Sequence, residues 1–216
     1  MNTSSSTDAR VSLRARFRTA TREAILDAAA SLMGAEGASQ TRMEDIAARA
    51  GVAVGTVYNY FEDRTALVLA LLETRSRTLM DALESAGDRP RGKSTARAAG
   101  SFEAQLEQFV ATLAAHFEAN RFLLGVLLED EQLRGVDAKS ATRRTAMRRE
   151  MMVRAERLID RGIRARALRK DDPTVYAALL LGMVRGAALA SLTSERSPSG
   201  NWTASVVRMF LHGAVR

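Results

Sequence analysis

Apolar residues recur at three- and four-residue intervals along most of the chain, and this spacing predicts an all-α protein. A first helix is expected over about 18–36, burying Ala24, Ile25, Ala28, Ala29, Leu32 and Met33. Thr41 followed three positions later by Glu44 reads as a capping box, so a second helix starts near Arg42 with a narrow stripe of Ile46, Ala47 and Ala50. Gly51 tolerates the positive φ of a helix end, and the chain restarts within about three residues. A short third helix over about 54–60 follows, with Val57 and Phe61 facing inward.

Further helices follow from the same periodicity. A fourth, about 63–85, carries Leu67, Leu71, Met80 and Leu83; residues 86–100 read as a loop from their Gly, Pro and charge content. Ser101 opens a helix bearing Phe102, Leu106, Phe109, Leu113 and Phe117, closed by Asn120, and a short apolar helix is expected over 122–133. A long basic helix over about 138–167 has Ala146, Met147, Met151, Val153 and Leu158 as its apolar face. Asp171 or Asp172 with Pro173 starts the next helix, and Asn201 opens a last one through 215.

The third helix is unusual in what it leaves outside. Around the face not used by Val57 and Phe61 stand Thr56, Tyr58, Asn59 and Tyr60. Hydroxyls suit phosphate oxygens, and an Asn amide pairs with the N6/N7 edge of adenine. Arg64, one turn later, offers a cation to the phosphate backbone. The stretch AILDAAASLMGAEG, TRMEDIAARAGVAVGTVYNYF and DRTALVLALL, within 22–72, resembles the N-terminal domain of the TetR (tetracycline repressor) family of transcription regulators. Two positions depart from the family pattern. Ala53 stands where Ser or Thr is usual, which costs the third helix a side-chain cap and roughly 0.5–2 kcal/mol. Arg64 stands where Lys is usual, replacing a point charge by a planar fork.

The resemblance implies a homodimeric DNA-binding regulator: a three-helix helix-turn-helix domain joined by a linking helix to a C-terminal helical ligand-binding and dimerisation domain. The divisions are 1–17 as a disordered basic arm, 18–66 as the DNA-binding domain and 67–216 as the effector-binding and dimerisation domain. At the DNA it places Arg42, Val54, Gly55, Thr56, Tyr58, Asn59, Tyr60 and Arg64. Its effector pocket falls on Phe102, Phe109, His116, Phe117, Phe122, Met147 and Met151, whose chemistry favours an apolar or aromatic small molecule. Ala178, Gly182, Gly186 and Ala190 repeat every four residues, a smooth face suited either to internal core or to self-association. The implied dimer interface comprises Ala178, Gly182, Gly186, Trp202 and Phe210, presenting two third helices to a palindromic operator. The alternative is a DNA-bound adaptor of the same fold that recruits a protein and has no small-molecule effector.

Charge redistributes this picture. The formal net charge of the 216-residue chain is +7, yet residues 1–67 hold eight Arg against eight Asp or Glu. Residues 143–170 carry eleven Arg or Lys against Glu150, Glu156 and Asp160. That run is either the solvated face of the long helix or, at Arg143, Arg144, Arg148 and Arg149, a long-range attraction for DNA. Arg10, Arg14, Arg16, Arg18 and Arg22 form either a solubility tail or an arm laid along phosphates or into a minor groove.

Other chemistry is weakly represented. The chain has no cysteine, so disulfides and thiolate metal sites are excluded. Its polar start lacks the apolar stretch of a signal peptide, and its most apolar run, 175–192, is broken by Gly182, Arg185 and Gly186, so a cytoplasmic protein without a membrane partner is expected. Gly87, Gly92, Lys93 and Ser94 fit a phosphate-loop pattern, but a helical pattern rather than a strand precedes them. His116 and His212 lack metal-ligand spacing, and no nucleophile constellation stands out, so no enzyme, cofactor or metal is expected.

Overall fold

The computed structural model describes residues 4–37, 40–87, 101–122, 138–193 and 202–214. Among them are eight helices and no strand: α1 (Ser4–Glu36), α2 (Met43–Ala50), α3 (Val54–Tyr60), α4 (Arg64–Gly87), α5 (Phe102–Ala119), α6 (Ala138–Arg164), α7 (Pro173–Thr193) and α8 (Trp202–Ala214). Two compact units divide between Leu72 and Glu73, inside α4. The fold class is therefore the all-α one that the periodicity predicts.

In the first unit, α1 packs on α2 and α2 on α3. Ile25, Leu26, Ala28, Ala29 and Met33 of α1 meet a core that includes Met43, Ile46, Ala47, Val57, Phe61 and Leu67, all buried. Burying each larger side chain stabilises by about 1.5–3 kcal/mol. Leu26 replaces Ala24 in the expected buried set, and Leu32 is only half-buried. α1 also begins at Ser4 rather than near Arg18, so arginines 14 to 22 are helical. Its first half gives no apolar stripe to read, because Leu13 and Phe17 are 53% and 65% exposed.

The capping box is not formed. Thr41 is buried and its Oγ1 donates to the Gly37 carbonyl at 3.1 Å, closing the exit from α1; Arg42 is the N-cap of α2 and no side chain caps it. Gly51 does take the left-handed conformation, φ 68°, so the tight turn between α2 and α3 needs a residue without a Cβ penalty. Ala53 precedes α3 with no side-chain cap.

In the second unit, α7 contacts α5, α6 and α8, while α5 also contacts α6 and α8. Leu106, Val110 and Leu113 of α5, Ala155, Leu158 and Ile159 of α6, and Ala177, Leu180 and Val184 of α7 form its centre. The buried face of α6 thus lies toward its C-terminal half, and Ala146 is exposed. Ser101 caps α5 by accepting from the Ala104 N–H, and Asp172 with Pro173 opens α7, Asp172 Oδ1 accepting from Thr174 N–H at 2.8 Å. Arg166, φ 58°, turns the chain after α6 and returns Leu168 to the core. Arg161 donates to Gln105 at 3.1 Å, tying α6 to α5, and Arg154 bridges Glu84 and Glu150.

α7 is apolar on two faces. Pro173–Ser191 is long and apolar enough to cross a membrane, but Ala177, Leu180, Val184 and Ala188 on one face are buried in the unit's own core. The opposite face, with Val175 and Leu179 at 52% and 55% exposure and Ala178, Gly182, Gly186 and Ala190 exposed, is left uncovered by the described residues. Residues 123–133 of the helix expected over 122–133, the capping residue Asn201 and the segment with Gly92, Lys93 and Ser94 lie outside the described residues. Gly87 ends a helix, so no strand delivers that segment.

Candidate nucleic-acid interface

α3 is seven residues long and buries Val57 completely. Phe61 at its end is also buried, where Arg22 of α1 lies over the ring at 5.5 Å, a cation–π contact that ties α1 to the end of α3. With Val57 and Phe61 fixed inward, the 100° advance per residue turns Gly55 and Asn59 outward, four positions apart on one line. Gly55 and Asn59 are exposed, Tyr58 is 47% exposed, and Val54, Thr56 and Tyr60 are half-buried. The absence of a side chain at Gly55 lets a partner approach the helix axis beside Asn59. Arg42 is exposed at the start of α2. Arg64, the first residue of α4, is half-buried, and its Nε is shielded without a hydrogen-bond partner. Asp63 caps that helix, its Oδ1 accepting from the Ala66 N–H at 2.7 Å.

The arginine run up to residue 22, open between a solubility tail and a phosphate-contacting arm, stands in the structure on α1 beside this surface. A groove of about 410 Å³ between α1 and α3 is lined by Ala15, Arg18, Thr19 and Arg22 together with Asn59 and Tyr60. Arginines at 14, 18 and 22 recur every four residues, and no helix breaker separates them from the rest of α1. That spacing was the available signal.

The residues expected to form an effector pocket are divided by the structure. Phe102 is buried in the core of the second unit, its ring lying against Gly162. Phe109, Phe117 and Met151 pack partly buried around that core, and Phe122 and Met147 are half-buried. None of the seven lines the groove of about 730 Å³ formed by Glu84, Thr142, Thr145, Ala146, Arg149, Glu150, Val153, Arg154 and Arg157. His116 lies 3.5 Å from the Asn120 amide through Nδ1 and edge-on to Phe117. Burial, and secondarily the charge of Arg75, hold its imidazole below its ordinary pKa. The unfolded chain therefore takes up the proton first as pH falls through about 6.5, and stability declines below that value until the folded imidazole also titrates. A His116→Gln variant is expected to flatten this dependence, read as urea midpoints between pH 8 and pH 5; an unchanged slope would contradict it.

Of the expected dimer residues, Ala178, Gly182 and Gly186 are exposed on α7. Trp202 is half-buried against the core, and Phe210 is buried within its own chain, edge-on to Tyr176. Met209, beside it on α8, is 67% exposed. Among the described residues, no group of three or more His, Cys, Asp and Glu is arranged to hold a metal ion.

Comparison with known proteins agrees with this architecture. Residues 25–71 match the bacterial regulatory proteins of the tetR family, and residues 99–189 match the tetracyclin repressor-like C-terminal domain. A search of curated proteins finds no match. Among solved structures, a TetR transcription regulator from Haloarcula marismortui superposes with a TM-score of 0.72 at 15% identity, covering 92% of this chain and 100% of that one. The regulator FadR of Bacillus subtilis, solved with stearoyl-CoA, gives 0.66 at 16% identity over 88% and 98%. SmeT, repressor of the Stenotrophomonas maltophilia efflux pump SmeDEF, gives 0.64 at 24% identity over 90% of each chain. The helix-turn-helix of α2 and α3, followed by a helical unit matched to the family's C-terminal domain, makes this chain a member of the TetR family of transcriptional regulators.

Proposed function

We propose that the chain is a homodimeric repressor that binds a palindromic operator through α3 and is released by a small apolar or aromatic effector held in the second unit. The observation that carries the DNA reading is the division of α3: Val57 alone is buried, while Gly55, Tyr58 and Asn59 are exposed and, among the described residues, neither the Tyr58 nor the Asn59 side chain makes a hydrogen bond. Asn59 reads a base edge, and Tyr58, Thr56 and Arg64 hold phosphates. Support for the dimer comes from α7. A Cβ at Gly182 or Gly186 would meet nothing within 4 Å, so the protomer's own packing does not require glycine there. Each glycine inside a helix costs about 0.5–1 kcal/mol relative to alanine, a cost that close approach by a second copy of α7 offsets.

An apolar effector is supported by the Phe and Met side chains packed around the second unit's core, with His116 a neutral polar group among them. Structural relatives have been solved with stearoyl-CoA and, for SmeT, with triclosan. Release requires only that the effector favour a protomer arrangement whose two α3 helices no longer match the half-site spacing.

Selection of binding sites from random duplexes tests the reading directly, a palindromic consensus being expected and a set without any consensus counting against it. On the selected duplex, Asn59→Ala is expected to relax preference at one position by about 1–3 kcal/mol. Arg64→Ala is expected to weaken every sequence and to flatten the salt dependence by about one unit of slope per contact. Equal losses on all sequences for both variants would reverse those roles.

A further inference from the structure

The groove between α1 and α3 has a one-sided chemistry. Among the described residues its polar lining is Arg18, Thr19, Arg22, Asn59 and Tyr60, each able to donate a hydrogen bond, and it contains no carboxylate. Arg22 is positioned by the Phe61 ring and Thr19 by its bond to the Ala15 carbonyl, so two side chains of the α1 wall are held before anything binds. Arg18 and, one turn earlier, Arg14 are exposed, and among the described residues no carboxylate pairs with either. Their separation along α1 is about 6 Å of rise, comparable with the step between successive phosphates of one strand.

We infer that this groove seats a backbone phosphate of the bound duplex, with Arg18 as its principal cation, Arg22 and the Tyr60 hydroxyl as additional donors, and Arg14 meeting the next phosphate along the strand. The inference rests on the DNA-binding reading and, of the two readings open for the arginine run, takes the phosphate one, giving it a defined seat between α1 and α3. Continuity favours duplex DNA over a free anion, because Asn59 lines the groove and also stands on the outward line of α3. Charge favours it too. Residues 1–67 carry eight arginines and eight carboxylates, so diffuse attraction is weak and affinity depends on arginines set against particular phosphates. A phosphate held between α1 and the end of α3 also fixes the angle at which α3 enters the major groove, which a contact from α3 alone cannot do.

The test uses the full-length protein and a duplex selected by it from a random pool, with a scrambled duplex beside it. Arg18→Gln is expected to weaken both duplexes by a similar factor. For a dimer losing one contact on each half-site, the slope of log affinity against log salt should become shallower by about 1.8. Arg157→Gln on α6 removes the same charge elsewhere and is expected to leave the slope unchanged. Ethylation of one phosphate per half-site should block the parent protein and cease to matter for Arg18→Gln, and Tyr60→Phe should weaken binding without changing base preference. Circular dichroism checks that each variant folds. An unchanged slope and ethylation pattern in Arg18→Gln, or the same slope change in Arg157→Gln, would overturn the inference. If Asn59→Ala and Arg64→Ala alter binding while Arg18→Gln does not, the operator reading survives and the groove assignment falls. A parent protein that binds no duplex would end both.

Discussion

Replacing Gly182 with arginine is expected to give a folded monomer whose affinity for a two-half-site duplex is about 10²–10⁴-fold below that of the parent, the factor set by the loss of bivalent attachment. The protomer itself should tolerate the change. Gly182 is exposed on the face of α7 opposite Ala177, Leu180 and Val184, and a Cβ there enters open space. In a dimer packed through that face, the arginine would enter an apolar surface made by Val175, Ala178, Leu179 and Gly186 and leave its charge without a partner. Gly182→Ala separates the two effects. It should raise protomer stability by about 0.5–1 kcal/mol through helix propensity, while weakening association because the added methyls hold the two helices apart. Sedimentation at micromolar concentration reads the oligomer, and urea unfolding reads the protomer. A Gly182→Arg protein that remains dimeric would remove α7 from the interface.

The sequence made the DNA-binding half legible because its signals are local. Gly51 can only be a left-handed turn, Val57 and Phe61 are the sole inward candidates on a seven-residue helix, and Asp63 caps the helix that follows. Where a side chain has two competing local partners, or its packing partner is distant, the same signals misled. Thr41 has the spacing of a capping residue, yet its hydroxyl is taken by the Gly37 carbonyl, because closing α1 and opening α2 compete for one side chain. Phe102 lies on an apolar face as periodicity required, but periodicity does not say whether that face meets a ligand, a second chain or the protein's own core. The start of α1 was hidden for the opposite reason: a solvent-exposed helical extension carries no burial pattern, only the four-residue arginine spacing. α7 hid a division that composition averages away, one apolar face inside the unit and another outside it.

A side chain at Gly162 has no room beside Phe102, and Gly162→Val is expected to destabilise the protein by about 1–3 kcal/mol. A Cβ at this position would lie 2.6 Å from Cε2 of Phe102 and 2.8 Å from Cδ2 and Cζ. Carbon atoms prefer about 3.5–4.0 Å, so the ring must move by roughly 1 Å in a core where Phe102 is 6% exposed and Leu106, Leu158 and Ile159 are almost fully buried. Helix propensity pulls weakly the other way, since valine gains only a few tenths of a kcal/mol over glycine. Phe102→Leu alone should also destabilise, through lost contact with Gly162 and the surrounding side chains. In the Gly162→Val background the same replacement should cost less or become favourable, because it removes the atoms that clash. The double-mutant cycle measured by urea unfolding is therefore expected to show a compensating interaction, on the order of 0.5–3 kcal/mol. Strict additivity would mean that the α5–α6 contact yields by backbone movement rather than through the ring.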